Sequence, residues 1–144
     1  MAKPIEVVYD EVKQYFGLVP DWIKTMPEAG LSGFWSLMRD FELAETAIPN
    51  KYKELIGIAV SGATRCRYCA LFHTEGARLN GATDDEIAEA GFMGALTMLG
   101  STFLNAEQID YERFANETKQ VVEHVRKEQK AGKRAAAAPE AQAE

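Results

Sequence analysis

Only one stretch of this chain, Leu55-Ile56-Gly57-Ile58-Ala59-Val60, has the short, continuous apolar character of a buried strand. Periodicity does not separate such a run from buried helix, so the decision falls to what a strand needs. A strand needs a partner for its backbone N–H and C=O groups. No second strand-like segment occurs anywhere in the sequence to supply one. The run is therefore expected as helix, and the whole chain as an all-α fold. With 144 residues, one domain can bury a real core without covalent staples.

Proline, glycine and capping residues divide the chain into helices. Residues 4–16 carry Ile5, Val8, Val12 and Phe16 at helical spacing, and Gly17 is the stop. A turn comes next at residues 18–22, where Pro20 opens a short segment with Trp22 and Met26. Pro27 precedes a longer helix, residues 29–42. Its apolar residues Leu31, Phe34, Trp35, Leu37, Met38 and Phe41 cover a face broad enough for burial between neighbours or at a subunit contact. Residues 46–50 connect to the next helix, with Pro49 at its start. Gly62-Ala63-Thr64 is expected to break it, with Thr64 as N-cap of the following helix. That helix should end at Asn80-Gly81. Thr83 and Glu86 form a capping box for another helix, whose acidic first turn suits its positive end. Ile87, Ala90, Gly94 and Met98 come after it at helical spacing, and apolar character continues to Phe103 and Leu104. A last helix is expected over residues 109–130. The helical domain is thus placed at residues 1–130, and residues 131–144, rich in Ala, Lys, Pro and Glu, read as a disordered tail.

Charge narrows the partners. Against 16 Lys and Arg stand 22 Asp and Glu, a net charge of −6, which is poorly suited to neutralising nucleic-acid phosphates. No uninterrupted apolar run approaches the roughly 20 residues of a membrane span. The N-terminal residues lack the apolar core of a secretory signal, so a cytoplasmic protein without membrane or nucleic-acid partners is expected.

Both cysteines and one of the two histidines fall within Cys66-Arg67-Tyr68-Cys69-Ala70-Leu71-Phe72-His73. On a helix, Cys66, Cys69 and His73 lie within about 60° of one another, on one face. Two thiols with a base one turn away suit redox chemistry: a C-x-x-C at a helix start closes an internal disulfide and gives a two-electron couple. The helix N-terminus, Arg65 and Arg67 all favour a thiolate there, most of all at Cys66. His73 is placed to take a thiol proton.

A base works best when another group orients it. If the chain reverses near Gly62-Ala63, Glu54 and His73 are each roughly 12–14 Å from the turn, at equal depth on the two helices. A carboxylate there can hydrogen-bond the imidazole. Taken alone, Glu54 reads instead as a surface charge paired with Lys51 or Lys53. A zinc site is the other chemistry open to Cys66, Cys69 and His73, with Glu54 as fourth ligand. It is disfavoured because structural zinc sites usually draw ligands from two elements, and three of these share one helix face.

The spacing of Glu54, eleven residues, Cys66-x-x-Cys69, three residues and His73 resembles the motif of the AhpD-like alkyl hydroperoxidases, within the carboxymuconolactone decarboxylase superfamily. The flanks are similar too: Lys53-Glu54-Leu55-Ile56 before, Ala59-Val60-Ser61 leading to the cysteines, and Gly81-Ala82-Thr83-Asp84-Asp85-Glu86-Ile87 after. The resemblance covers about residues 49–99. It implies an all-helical fold that assembles as trimers or hexamers and reduces hydroperoxides without a cofactor, regenerated by an external thiol. It implies Cys69 as the attacking thiol, His73 as its base, Glu54 completing the relay and Cys66 as the resolving partner. The helix-end argument by itself favours Cys66 as the more acidic thiol. Some relatives carry a second histidine between the cysteines where this chain has Tyr68, a hydrogen-bond donor placed to meet substrate but not a base near neutral pH. Two other functions stand beside this one: a non-catalytic helical oligomer that senses redox state, and decarboxylation of a lactone of the carboxymuconolactone type.

Overall fold

In the computed structural model, which describes residues 3–136, seven α-helices and one π-helical turn account for the secondary structure, with no strand among the described residues. The helices are α1 (Ile5–Phe16), α2 (Asp21–Lys24), α3 (Glu28–Leu37), α4 (Asn50–Thr64), α5 (Arg67–Leu79), α6 (Asp84–Ala106) and α7 (Tyr111–Ala136). The chain divides into two compact units, Met1–Met98 and Leu99–Glu144.

Four of the five prolines (Pro4, Pro20, Pro27 and Pro49) stand immediately before α1 to α4. Proline is suited to that place because it has no N–H to leave unpaired and its φ is already near the helical value. Gly17 ends α1 in the left-handed conformation at φ 76°. The capping box forms as expected: Thr83 N–H donates to Glu86 Oε2 at 2.8 Å, and Glu86 N–H to Thr83 Oγ1 at 3.1 Å.

In the first unit the fully buried core comes from α1 to α3: Val8, Val12, Ile23, Leu31 and Trp35. Phe16 meets the Trp35 ring edge-on at 5.6 Å. Glu11 ties α1 to α3 and to the residues just past its end, accepting from Trp35 Nε1 at 2.9 Å and Arg39 Nη1 at 2.8 Å and pairing with Lys3. The broad apolar face expected on residues 29–42 is not wholly used here, since Leu37 and Phe41 remain exposed.

That helix also does not run regularly to residue 42. After Leu37 it widens into a π-helical turn, Met38–Glu42, closed by Leu43 N–H donating to Met38 O at 2.8 Å. Such turns recur at functional sites because they re-aim one side chain out of helical register. Two tethers hold this one. Arg39 bonds Glu11 on one side, and the buried Lys53 ammonium donates to the carbonyls of Phe41 and Ala44 on the other.

Helices α4 and α5 form a hairpin, and its reversal differs from the expected Gly62-Ala63-Thr64 break. Helix α4 continues through Thr64, whose hydroxyl bonds back to Val60 O at 2.9 Å rather than capping the next helix. The turn is made by Arg65 at φ 57°, and Cys66 is the N-cap of α5. Helix α6 meets α4 where Gly94 allows contact: a Cβ there would lie 2.5 Å from Ala59 O. Lys51 of α4 pairs with Glu86 of α6 at 2.6 Å. Along α6, Phe92, Met93, Leu96, Leu99 and Phe103 are exposed. By length and composition this helix is long and apolar enough to cross a membrane, although polar residues interrupt its apolar run.

In the second unit, the end of α6 leads through a turn with Gln108 at φ 50° into α7, where Asp110 Oδ1 accepts from Arg113 N–H at 2.7 Å. Helix α7 passes the expected end at residue 130 and continues to Ala136. The rest of the expected tail, residues 137–144, lies outside the described residues.

Candidate active site

The α4–α5 hairpin brings Glu54 and His73 together. His73 Nδ1 lies 2.8 Å from Glu54 Oε2, and Glu54 is only 3% exposed. Neither Lys51 nor Lys53 pairs with Glu54, because Lys51 is engaged by Glu86 and Lys53 by backbone carbonyls. Two glycines make the approach possible. A Cβ on Gly57 of α4 would stand 2.4 Å from His73 Cγ, and one on Gly76 of α5 would stand 2.6 Å from the Glu54 carboxyl carbon. Each glycine lies three residues after the functional residue on its own helix. The two side chains therefore cross, each resting on the other helix's backbone.

Burial pushes the Glu54 carboxyl above its ordinary value of 4.5. The His73 hydrogen bond and charge oppose that rise, Glu42 adds to it, and Lys53 works against it. With a carboxylate at Nδ1, that nitrogen is the natural carrier of the ring proton. The other ring nitrogen is then left with a lone pair. This arrangement fits an imidazole that must accept a proton on the side away from Glu54.

Cys66 and Cys69 are joined as a disulfide, with Cα atoms 5.4 Å apart. Cys66 caps α5, and its Sγ accepts from Cys69 N–H at 3.3 Å. Cys69 therefore sits in the first turn, where unpaired N–H groups favour negative charge. The helix-end argument thus serves Cys69 as well as Cys66. His73 is four residues beyond Cys69 on α5, the spacing at which helical side chains are neighbours. Tyr68 is 74% exposed, with the Arg67 guanidinium over its ring.

Two residues at the site escape sequence reasoning. Glu42, at the end of the π-helical turn, places its Oε1 3.6 Å from His73 Nδ1. Lys53 anchors that turn. Glu42 shows no sequence signal, since its place depends on a helix irregularity held by tertiary contacts. Lys53 reads in the sequence only as a surface partner of Glu54 and part of the motif's flank. Glu42, Glu54 and His73 are the one set of potential metal ligands found among the described residues, their atoms within 4.8 Å of one another. The zinc set of Cys66, Cys69, His73 and Glu54 is not assembled here. The two thiols are bonded to each other, and His73 Nδ1 makes a hydrogen bond to Glu54.

Comparison with known proteins bears on the fold and the family. The crystal structure of the alkylhydroperoxidase AhpD core from Rhodospirillum rubrum superposes with a TM-score of 0.67 at 29% identity, covering 76% of this chain and 84% of that one. A protein from Methanobacterium thermoautotrophicum superposes with a TM-score of 0.51 at 31% identity, covering 60% of this chain and 96% of that one. An uncharacterized protein of the cox locus of Paracoccus denitrificans is 35% identical over 65 residues, 45% of this chain, and the match spans 59% of that relative's length. The model of the carboxymuconolactone decarboxylase family matches residues 30–109, more than half of the chain and all of the α4–α5 hairpin. With an AhpD-like helical fold and a matching family model, this chain belongs to the carboxymuconolactone decarboxylase family.

Proposed function

We propose that this protein is a thiol-dependent hydroperoxide reductase that cycles Cys66 and Cys69 between dithiol and disulfide. One observation carries the proposal: a cysteine pair at the start of α5 precedes, by one turn, a histidine held by a buried carboxylate. That arrangement has little use in a purely structural disulfide. It meets the needs of a thiol that must lose its proton to a base, which then delivers that proton to the leaving group.

In the reduced protein Cys69 gives its proton to His73, while Glu54 holds the ring and stabilises the imidazolium. The Cys69 thiolate attacks the terminal peroxide oxygen and the O–O bond breaks. His73 returns the proton to the departing alkoxide, which leaves as the alcohol. Cys69 is then a sulfenic acid. The Cys66 thiol condenses with it, forming the disulfide and releasing water. An external thiol returns both cysteines to the reduced state by exchange. A reducing cytoplasm supplies such thiols and is the setting this cycle requires. Tyr68, exposed beside the cysteines, is proposed to meet the substrate.

Self-association belongs to the same proposal. Phe92, Leu96, Leu99 and Phe103 recur on α6 at the spacing of a helix–helix seam and are exposed. Further copies of the chain are the occupants we assign to that stripe, as a homo-oligomer.

The test is a hydroperoxide assay with cumene hydroperoxide as substrate and dithiothreitol as reductant. Cys69→Ser and Cys66→Ser should each abolish turnover, and His73→Ala should slow it by roughly 100-fold. Full activity in Cys69→Ser refutes the proposal. Reversible disulfide formation without turnover would point to redox sensing. Decarboxylation of a carboxymuconolactone that survives loss of both cysteines would point to the chemistry of the family's name.

A further inference from the structure

Glu42 takes no step in that cycle, yet it faces the imidazole. Its Oε1 lies 3.6 Å from His73 Nδ1, beyond hydrogen-bond reach but within ion-pair range. The same oxygen is shielded from water and has no hydrogen-bond partner. A shielded carboxylate oxygen without a donor is costly unless positive charge develops beside it. Among the described residues, the one basic nitrogen in ion-pair range of Glu42 is His73 Nδ1.

The position of Glu42 is also held in place. Lys53 fixes the carbonyls of Phe41 and Ala44 on either side of it, and Arg39 bonds Glu11 at the opposite edge of the π-helical turn. A buried lysine and an irregular helix turn thus both hold a carboxylate beside Glu54 and His73.

We propose that Glu42 is a positioning residue for proton transfer at Cys69, a second carboxylate that stabilises the imidazolium formed when His73 takes the thiol proton. Its catalytic meaning rests on the hydroperoxide-reductase reading, but the charge effect on Cys69 does not. Glu42 exchanges no atom with substrate. The Cys69 proton moves to the ring nitrogen away from Glu54, the Nδ1 proton stays hydrogen-bonded to Glu54, and the new positive charge has two carboxylates on its Nδ1 side. Among the described residues, the charged groups in ion-pair range of His73 are Glu54 from α4 and Glu42 from the π-helical turn, while Lys53 acts on Glu54 and the cysteines lie one turn earlier on α5.

The test measures Cys69 alkylation by iodoacetamide across pH, in the full-length reduced protein carrying Cys66→Ser, so that no peroxide is needed. Glu42→Gln should move the half-maximal pH upward by about one unit, because the thiolate–imidazolium pair loses one compensating charge. Glu42→Asp, which keeps the charge, should recover at least half of that shift. Thermal melting of both variants controls for folding, since a purely structural role lowers Tm without moving the alkylation profile. In the otherwise wild-type chain, Glu42→Gln should reduce kcat/KM for hydroperoxide by roughly tenfold. An alkylation profile for Glu42→Gln that superposes on that of the parent overturns the proposal. So does a stoichiometric divalent metal ion in the purified protein that Glu42→Gln loses, which would make Glu42 a ligand instead. A chain that shows the alkylation shift but no peroxide turnover keeps the Glu42 assignment and refutes the reductase reading alone.

Discussion

Gly57 lies directly against the His73 imidazole, so closely that a Cβ on it would stand 2.4 Å from the ring. Gly76 bears the same relation to the Glu54 carboxyl. Alanine is the better helix former by about 1 kcal/mol, but at these two positions the methyl group must push a functional side chain aside. Gly57→Ala and Gly76→Ala should each lower peroxide turnover at least about tenfold by misaligning the relay, with helix content retained by circular dichroism. Gly91 of α6, where a Cβ would meet nothing within 4 Å, is the control: Gly91→Ala should keep activity and match or exceed wild-type stability. Equal turnover in all three variants would show that the close packing is not what aligns the relay.

Lys53 is buried, and its ammonium donates to two carbonyls at the end of the π-helical turn. Removing a buried donor strands both acceptors. Lys53→Met keeps the aliphatic stem, so packing is retained while the charge and both hydrogen bonds are lost. A stability loss of about 1–3 kcal/mol in urea unfolding is expected. The same variant should resemble Glu42→Gln in its alkylation profile, because the turn that carries Glu42 is released. A stable protein with an unchanged profile would mean that the turn holds its shape without Lys53.

Much of the fold and site is legible in the sequence, and the division has a physical basis. Helix starts at prolines, the Thr83–Glu86 capping box and the stop at Gly17 are local, set by groups within one turn. The pairing of Glu54 with His73 is legible only to within a turn. A reversal at Gly62-Ala63 predicts equal depth, but with the turn at Arg65, Glu54 is level with Gly76 and His73 with Gly57, and the two side chains meet by crossing between those glycines. The turn at residue 65 is not legible, because Arg65 adopts the left-handed conformation that glycine usually marks, while Gly62 stays inside α4. Glu42 is invisible for a stronger reason. In a regular helix its side chain points elsewhere, and the π-helical turn that re-aims it is tethered by Glu11 and Lys53, distant in sequence.

Two carboxylates should move stability in opposite senses with pH. Glu11 is held below its ordinary value of 4.5 first by Lys3, and further by Trp35 and Arg39. Its contribution is complete above 4.5 and is lost as pH falls through the depressed value, so Glu11→Gln should flatten acid unfolding. Glu54 is raised by burial, so its contribution is complete below 4.5 and is lost as pH rises through the elevated value. Glutamine at position 54 keeps an acceptor for His73 without the buried charge. Glu54→Gln should therefore be at least as stable as wild type at pH 7 in thermal melts, yet slower with hydroperoxide by about tenfold or more. A variant that is both less stable and fully active would reverse the assignment of Glu54 from function to structure.

The exposed stripe on α6 makes the last prediction. Phe92, Leu96, Leu99 and Phe103 repeat at intervals of four, three and four residues, so a single helix face presents four large apolar side chains. Exposed patches of this kind normally have an occupant, because apolar surface in water is costly at about 25 cal/mol per Å². If further copies of the chain are that occupant, sedimentation of the wild-type protein should report an oligomer. Leu96→Glu should shift it toward monomer, since a carboxylate buried at a seam between copies finds no partner there. The α4–α5 hairpin lies elsewhere in the sequence, so Cys69 alkylation in Leu96→Glu separates loss of assembly from loss of the site. A wild-type monomer that floats with lipid vesicles would assign the same helix to a membrane instead, since by length and composition it is long and apolar enough to cross one.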